Sequence, residues 1–251
     1  MMTKDADAAL RMGTIELAGA DCPVALPTVP DGSPCAAPGL LLVLDGARML
    51  RRAERLAADG RVDPRRLPVM VGLDAGDEER LATYTPWPHA AFKPGAPDFG
   101  GRGDEHLREV VLPTARAARQ AAGTTLPASA EAGPLGLLGY SLGGLLALYA
   151  LTRTDAFDVV LAASPSSWYP GFGDYLERTP LACRPDTRVA VACGRDEGAR
   201  HPEPICRVRA ETDRVVATLA ARLEEPPSVE LDGLDHHRGA ATRLAELLAR
   251  W

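Results

Sequence analysis

A serine stands at the centre of a glycine-rich pentapeptide, GYSLG at residues 139–143, which fits the pattern G-x-S-x-G. It lies inside the apolar stretch GLLGYSLGGLLALYA, residues 136–150. A sharp turn from a strand into a helix needs glycines there, because side chains would collide with the neighbouring backbone. Such a turn presents the serine hydroxyl at the edge of a sheet. The pattern therefore favours Ser141 as a nucleophile over Ser141 as a small residue in a tight turn.

A serine hydroxyl is a weak nucleophile until a base takes its proton, and histidine is the usual base. Where this turn carries the nucleophile, the chain order is serine, then acid, then histidine. Of the histidines after Ser141, His201 precedes a predicted helix, whereas His236 and His237 follow the last predicted strand in LDGLDHHRG. We predict His236 as the base, with His237 as the alternative. A metal site formed by His236 and His237 is disfavoured, since adjacent side chains do not easily converge on one ion.

An acid that orients the histidine is expected after the penultimate strand. The stretch VACGRDEGA places Asp196 there, followed directly by Glu197. We predict Asp196 as this acid, with Glu197 next. Asp232 and Asp235, close to the histidines in the chain, could serve instead.

Two backbone N–H groups are needed to hold a negatively charged tetrahedral oxygen. One comes from the residue after the nucleophile, Leu142, and the other from the loop after an earlier strand. The strand GLLLVLDG, residues 39–46, ends in an Asp-Gly turn. Gly46 is therefore the predicted second donor, although it could equally be an ordinary turn glycine.

Elements that could position these residues alternate between short apolar runs and amphipathic segments. Continuous apolar runs are typical of parallel strands buried on both faces, and alternation with helices indicates a mainly parallel sheet covered on both sides. The predicted strands are 39–46, 66–74, 133–139, 157–166, 187–194 and 228–233. The expected fold class is α/β, doubly wound, in a single catalytic domain over residues 39–251 and without a large cap domain. Pro113 is expected to kink or restart the helix predicted over 104–123.

Two segments fall outside the alternation. Residues 18–38 are rich in proline, and we expect them to run over the surface, with or without a short edge strand, so that residues 1–38 form an N-terminal extension or edge segment. Residues 84–103, YTPWPHAAFKPGAPDFGGRG, form a long loop rich in proline, glycine and aromatic residues. Loops of that length are more often functional walls or lids than idle connections.

Composition narrows the possible partners and location. The chain has 251 residues, a formal net charge of −6 and no basic stripe, so nucleic acid is not expected as a partner. No signal-like or membrane-spanning apolar run is present, so we expect a cytoplasmic protein without a membrane partner. The five cysteines are widely spaced and are expected to be reduced thiols. The oligomeric state stays open.

Six segments, taken in order, resemble one family. They are LLVLDGARML, ERLATYTP, GGRGDEHLREVVLPTARA, LLGYSLGGLLALYAL, FDVVLAASPSSWY and LDHHRG. The set resembles the Putative esterase family of α/β-hydrolases, which includes esterase D-like proteins and enterochelin (siderophore trilactone) esterases. The resemblance runs from about residue 39 to the C-terminus and implies an α/β-hydrolase fold.

The resemblance also implies roles. Ser141 would be the nucleophile, His236 the base, and Gly46 and Leu142 the oxyanion donors, with no cofactor. Arg80 would contact the substrate near the nucleophile, unless it pairs with Asp77 or Glu78 of its own segment. Siderophores of this kind are anionic and aromatic, so cationic and aromatic residues such as Trp87, Trp168 and Tyr169 are candidates for substrate binding.

We therefore expect a serine esterase that hydrolyses a small-molecule carboxylic ester or (macro)lactone through an acyl-enzyme, with a siderophore trilactone as one possible substrate. An acyltransferase or thioesterase of secondary metabolism would use the same serine and histidine. A non-catalytic binding module on a hydrolase fold is the third hypothesis.

Overall fold

A computed structural model describes residues 9–29, 31, 33, 39–76 and 79–251 of the chain. At its centre is an eight-stranded sheet in the order β1-β2-β4-β3-β7-β8-β9-β10. The β1–β2 and β2–β4 pairs are antiparallel and the remaining neighbours are parallel. The strands are β1 (Ala9–Leu17), β2 (Ala20–Thr28), β3 (Leu40–Leu44), β4 (Val69–Leu73), β5 (Pro88–His89), β6 (Phe99–Gly100), β7 (Leu135–Tyr140), β8 (Val159–Ala163), β9 (Arg188–Gly194) and β10 (Ser228–Asp232).

Burial on both faces explains why the parallel strands are continuous apolar runs. In β3, Leu40, Leu42 and Leu44 pack into the core on one side of the sheet. Leu41 and Val43 pack into a separate core on the other side. Because successive side chains of a strand point to opposite faces, every position of such a strand must be apolar. The predicted doubly wound, mainly parallel sheet is confirmed.

Helices cover both faces. Helices α1 and α8 contact each other and lie over one face, whereas α4, α5 and α7 contribute to the core on the other. Their bounds are α1 (Gly46–Ala58), α2 (Arg80–Thr83), α3 (Gly103–His106), α4 (Leu112–Ala121), α5 (Leu142–Ala150), α6 (Phe172–Arg178), α7 (Val208–Ala220) and α8 (Ala240–Leu248). No helix in the described part of the chain is both long and apolar enough to cross a membrane.

The predicted helix over 104–123 is interrupted where proline disturbs it. A π-helical stretch, Leu107–Val111, separates α3 from α4, and Pro113 stands in the first turn of α4. Proline has no N–H to donate within a helix, so the regular hydrogen-bond ladder cannot pass through this position. The expected restart of the helix at Pro113 is thus observed.

The expectation that residues 18–38 run over the surface is wrong for residues 20–28. Residues 20–28 form β2, the second strand of the sheet, and β2 pairs along its whole length with β1. Pro23 and Pro27 disfavour a strand, which is why the sequence suggested an irregular segment. Proline is tolerated here because β2 pairs with β4 only through Val24 and Ala25. Residues 30, 32 and 34–38 lie outside the described residues.

Candidate active site

Ser141 occupies the turn between β7 and α5 and has a strained backbone. Its φ of 60° and ψ of −118° are rare for a residue with a side chain. A Cβ atom at Gly139 would lie 2.0 Å from the carbonyl oxygen of Gly143, so only glycine fits there. The Ser141 N–H donates to the carbonyl oxygen of Ala163 over 2.9 Å, which ties the turn to β8. The predicted strand-turn-helix context of G-x-S-x-G is present.

His236 lies beside this serine, although 95 residues separate the two in the chain. Its Nε2 atom is 3.2 Å from Ser141 Oγ. The ring packs on Tyr140, with centroids 4.9 Å apart, and the Tyr140 hydroxyl donates to the carbonyl oxygen of His236. Burial raises the pKa of Tyr140 to about 12, so this phenol keeps the proton that it donates. Tyr140 therefore holds His236 at two points, the imidazole through its ring and the backbone carbonyl through its hydroxyl.

His237, the second candidate for the base, is exposed. Its ring meets that of His236 edge to face, with centroids 5.2 Å apart. Its backbone N–H is capped by the Asp235 carboxylate. The structure thus brings Ser141 together with His236 rather than with His237.

The acid at His236 is Glu197, and the prediction of Asp196 does not fit the structure. His236 Nδ1 is hydrogen-bonded to Glu197 Oε1, while the Asp196 side chain is exposed. The turn after β9 explains the difference, because the Gly194 N–H donates to Glu197 Oε2 over 2.9 Å and draws that carboxylate inward.

Asp232 and Asp235 have different partners. The Asp235 carboxylate accepts from the backbone N–H of His237, and the Asp232 carboxylate accepts from Arg243. Neither carboxylate binds the His236 ring, whose Nδ1 is taken by Glu197.

Burial alone would raise the pKa of Glu197. The hydrogen bonds from His236 and the Gly194 N–H, together with the charge of Arg243, outweigh burial and hold that pKa below its ordinary value. Glu197 is therefore ionised and can only accept a hydrogen bond. His236 Nδ1 must carry the hydrogen, which leaves Nε2 as the acceptor that faces Ser141.

Arg243 is a buried residue behind the acid that the sequence analysis did not find. Its guanidinium donates to both carboxylate oxygens of Asp232 (2.8 Å each), to the carbonyl oxygen of Leu234 (2.7 Å), to Glu197 Oε2 (2.7 Å) and to Ser164 Oγ (2.6 Å). All five N–H donors of the side chain are thereby used. Arg243 joins α8 to the loop of Glu197 and to the loop of His236.

The two predicted oxyanion donors begin neighbouring helices. Gly46 opens α1 after β3, and Leu142 opens α5 after the adjacent strand β7. N–H groups in the first turn of a helix have no acceptor within that helix. Gly46 is also required for packing, because a Cβ atom there would lie 2.2 Å from the Cα atom of Gly72. The arrangement places two helix N-termini side by side at the carboxyl edge of the sheet.

Arg80 connects the turn after β3 with the turn after β7. Its Nε atom donates to both carboxylate oxygens of Asp45 (2.8 and 3.0 Å), and its Nη2 atom donates to the carbonyl oxygen of Tyr140 (3.1 Å). Arg80 does not line the cleft at Ser141. Its contacts are those of a residue that positions the two turns, rather than the substrate contact that the resemblance implied. Asp77 and Glu78, the acids near it in the chain, lie outside the described residues.

A cleft of about 230 Å³ opens in front of Ser141 and His236. Of the three predicted aromatic binding residues, only Trp168 lines it. The remaining cleft residues are Ser166, Asp196, Glu197, Gly198, Ala199, Arg200, His201, Ile205, Val208, Asp235 and His237.

Trp87 and Tyr169 pack against each other beside the cleft instead. Tyr169 is buried, and its hydroxyl donates to the carbonyl oxygen of Trp87 over 2.6 Å. Trp87 Nε1 donates to the carbonyl oxygen of Pro170 over 3.1 Å. The loop 84–103 also contains the small hairpin β5–β6. The aromatic residues of this loop thus anchor it to the segment after β8, so the prediction that Trp87 and Tyr169 line the site is not supported.

Together these contacts form a relay of Ser141, His236 and Glu197, with Arg243 behind the acid. Such an arrangement can transfer the serine proton to the imidazole and stabilise the imidazolium that forms.

Comparisons with known proteins show the family and the fold of the chain. Among curated proteins, an uncharacterized protein YbbA of Bacillus subtilis (strain 168) is 29% identical over 158 residues, which cover 62% of this chain and 60% of that protein. The chain therefore matches only about three fifths of the length of this relative.

Solved structures of similar fold include siderophore hydrolase EstB from Aspergillus nidulans, with a TM-score of 0.65, 18% identity, and coverage of 96% of this chain and 94% of that one. An IroE-like serine hydrolase from Shewanella oneidensis has a TM-score of 0.70 and 16% identity, and the match covers 96% of this chain and 79% of that one. At these identities the likeness shows the fold, and the predicted α/β-hydrolase fold is confirmed.

The family model described as Putative esterase matches residues 21–218, from β2 to α7. The match begins before the segments on which the sequence resemblance rested, and it includes the serine turn and Glu197. Because the matched region covers well over half of the chain, the protein belongs to the Putative esterase family.

Proposed function

We propose that this protein is a serine hydrolase that cleaves carboxylic esters or lactones through an acyl-enzyme. The observation that carries the proposal is the 3.2 Å contact between Ser141 Oγ and His236 Nε2, with ionised Glu197 on the other ring nitrogen. A binding module on the same fold would have no need for a strained serine aligned with an acceptor nitrogen and a buried acid. These features favour the enzyme over the binding module.

In the first half of the reaction, Ser141 Oγ attacks the carbonyl carbon of the ester while its proton moves to His236 Nε2. The carbonyl oxygen becomes an oxyanion, which the N–H groups of Gly46 and Leu142 hold. The tetrahedral intermediate collapses, the bond to the leaving oxygen breaks, and His236 gives its proton to that oxygen. The products are an alcohol and an acyl group esterified to Ser141.

In the second half, His236 Nε2 takes a proton from water, whose oxygen attacks the acyl carbon. The second intermediate releases Ser141 as the proton returns to it, and the carboxylic acid departs. The His236 side chain is 29% exposed and the cleft has charged walls, so water can reach the acyl group. This favours hydrolysis over acyl transfer, which would benefit from a dry pocket.

For the substrate class, we propose an anionic aromatic ester or lactone of the siderophore type. Two features support this choice: Trp168 and the exposed Arg200 line the same cleft as Ser141, and solved structures of this fold include a siderophore hydrolase. An arginine attracts anionic groups, and an indole offers a face for an aromatic ring.

The proposal is tested with wild type and Ser141→Ala on p-nitrophenyl butyrate and on a tris-catecholate trilactone, with products identified by mass spectrometry. We expect wild type to hydrolyse both substrates and Ser141→Ala to hydrolyse neither. Arg200→Ala should raise KM for the trilactone and leave KM for the neutral ester unchanged. Arg195→Ala is the matched control, because Arg195 is exposed in the same loop but does not line the cleft. Wild type that cleaves no ester or lactone would refute the hydrolase, and equal KM effects on both substrates would refute only the proposed substrate class.

A further inference from the structure

Three buried serines follow β8 in the segment Ser164-Pro165-Ser166-Ser167, and each hydroxyl has a different neighbour. Ser164 Oγ accepts from Arg243, and Ser167 Oγ lies 3.1 Å from Thr212 Oγ1. Ser166 Oγ lies 3.4 Å from Ser141 Oγ. Only 2% of Ser166 is exposed. Of the three hydroxyls, only that of Ser166 points at the nucleophile.

The backbone fixes this contact from both sides. The Ser166 N–H donates to the carbonyl oxygen of Ser141 over 3.0 Å, and the Ser141 N–H donates to the carbonyl oxygen of Ala163 over 2.9 Å. The Ser164 N–H donates to the carbonyl oxygen of Ala192 in β9 over 2.6 Å. The serine turn and the segment after β8 are therefore joined as one unit. These bonds fix the distance between the backbones of Ser166 and Ser141, so that the two side chains start from neighbouring positions.

The positions of the hydrogens on His236 and Ser141 indicate that the Ser166 hydroxyl acts as a donor to Ser141 Oγ. His236 Nδ1 carries the hydrogen that faces Glu197, so Nε2 accepts the hydroxyl hydrogen of Ser141. The lone pairs of Ser141 Oγ then remain available to a donor. The Ser166 hydroxyl is the side-chain donor that the described structure places within reach of them.

From this geometry we infer that Ser166 is a further catalytic residue, whose hydroxyl donates a hydrogen bond to Ser141 Oγ. This inference rests on the proposed function of Ser141. When the acyl-enzyme breaks down, the bond between the acyl carbon and Oγ breaks and its electron pair stays on Oγ, until the proton of His236 arrives. A donor at Oγ stabilises this negative charge. The same hydrogen bond from Ser166 is present while Ser141 Oγ loses its proton and attacks the ester carbonyl. Both half-reactions therefore depend on it.

The test compares Ser166→Ala, Ser166→Thr and Ser167→Ala in the full chain. Burst kinetics with p-nitrophenyl acetate separate formation of the acyl-enzyme from its breakdown, and Tm reports on folding. Ser166→Ala should lower kcat about tenfold to a hundredfold with KM nearly unchanged, as expected for the loss of one hydrogen bond to a developing charge. Ser166→Thr keeps a hydroxyl and should recover most of this loss.

Ser167→Ala is the matched control, because it removes a neighbouring buried hydroxyl that contacts Thr212 and not Ser141. It should lower Tm and keep the wild-type kcat. The inference is overturned if Ser166→Ala keeps the wild-type kcat, or if kcat falls equally in Ser166→Ala and Ser167→Ala. Active wild type beside inactive Ser141→Ala would, in either case, leave the proposed function standing. Inactive wild type would remove both.

Discussion

Arg243 Nη1 donates to Glu197 Oε2 over 2.7 Å, and the two side chains are only 1% and 2% exposed. This buried ion pair stands directly behind His236, because the other oxygen of the same carboxylate binds His236 Nδ1. Breaking a buried pair leaves an uncompensated charge, which typically costs about 3–5 kcal/mol. The pair therefore ties the stability of the fold to the alignment of the candidate base.

Replacement of Arg243 should harm both stability and catalysis. We expect Arg243→Met to lower the free energy of unfolding by about 3 kcal/mol or more and to reduce kcat, because Glu197 loses a partner that fixes its position. Arg243→Lys keeps the charge and should recover part of both losses. Urea unfolding and ester kinetics measure the two effects. Arg250→Met is the control, since Arg250 pairs with Glu230 at the surface and should change little. A wild-type kcat in folded Arg243→Met would contradict a positioning role.

The identity of the acid can be tested with two neighbouring substitutions. Glu197→Gln should lower kcat by about 10³- to 10⁴-fold, because the amide no longer stabilises the imidazolium or fixes its tautomer. Asp196→Asn should stay within a few-fold of wild type, since that side chain is exposed and has no contact with His236 in the described structure. Steady-state kinetics decide between them. The reverse order of effects would restore Asp196 as the acid.

Kinetics of an Arg80 variant can show whether Arg80 positions the turns after β3 and β7 or contacts the substrate. Because it binds Asp45 and the Tyr140 carbonyl rather than the cleft, Arg80→Gln should lower kcat and Tm while KM changes little. Arg48→Gln removes a second, more exposed partner of the same Asp45 carboxylate and serves as the control. If Arg80→Gln instead raised KM at an unchanged kcat and Tm, then Arg80 would be a substrate contact.

Stability should depend on pH through His106, which lies in α3. Its Nε2 atom is buried and has no hydrogen-bond partner among the described residues. Burial, helped by the charge of Arg102, lowers the pKa of His106 to about 4. The unfolded chain takes up this proton near the ordinary value of about 6.5. The free energy of unfolding should therefore fall as the pH drops from about 6.5 to about 4, by up to about 3 kcal/mol.

His106→Phe should flatten that part of the pH profile, because phenylalanine does not titrate. Urea unfolding at several pH values between 7 and 4 measures the slope for wild type and variant. His201→Gln, which replaces an exposed histidine, should leave the slope as in wild type. Equal slopes for wild type and His106→Phe would rule out the proposed source of the pH dependence.

The features that followed from sequence were those set by local pattern and chain order. Ser141 could be predicted because its turn needs glycines at fixed positions, and His236 because it comes after the last strand. The parallel strands were recognisable because burial on both faces makes every residue apolar. The strand β2 was missed because Pro23 and Pro27 are poor strand residues.

The remaining features depend on contacts that no local pattern encodes. Asp196 and Glu197 are adjacent, and the hydrogen bonds from the Gly194 N–H, His236 and Arg243 show that the Glu197 carboxylate turns inward. Arg243 did leave a signal, because it is a charge on the apolar face of α8 beside Ala240 and Leu247. Its partners, however, come from three loops that are far apart in the chain. Aromatic residues suit both ligand binding and packing, so the sequence alone does not show that Trp87 and Tyr169 pack against each other outside the cleft lining.

Activation of Ser141 by His236 should make this serine reactive toward an electrophile that labels serine nucleophiles. The most direct measurement is intact-protein mass spectrometry after reaction with a fluorophosphonate, followed by peptide mapping of the adduct. We expect a single adduct on Ser141 in wild type, none in Ser141→Ala, and labelling slowed by on the order of 10³-fold or more in His236→Ala. Wild type that stays unlabelled, or an adduct that persists in Ser141→Ala, would contradict the assignment of Ser141 as the nucleophile.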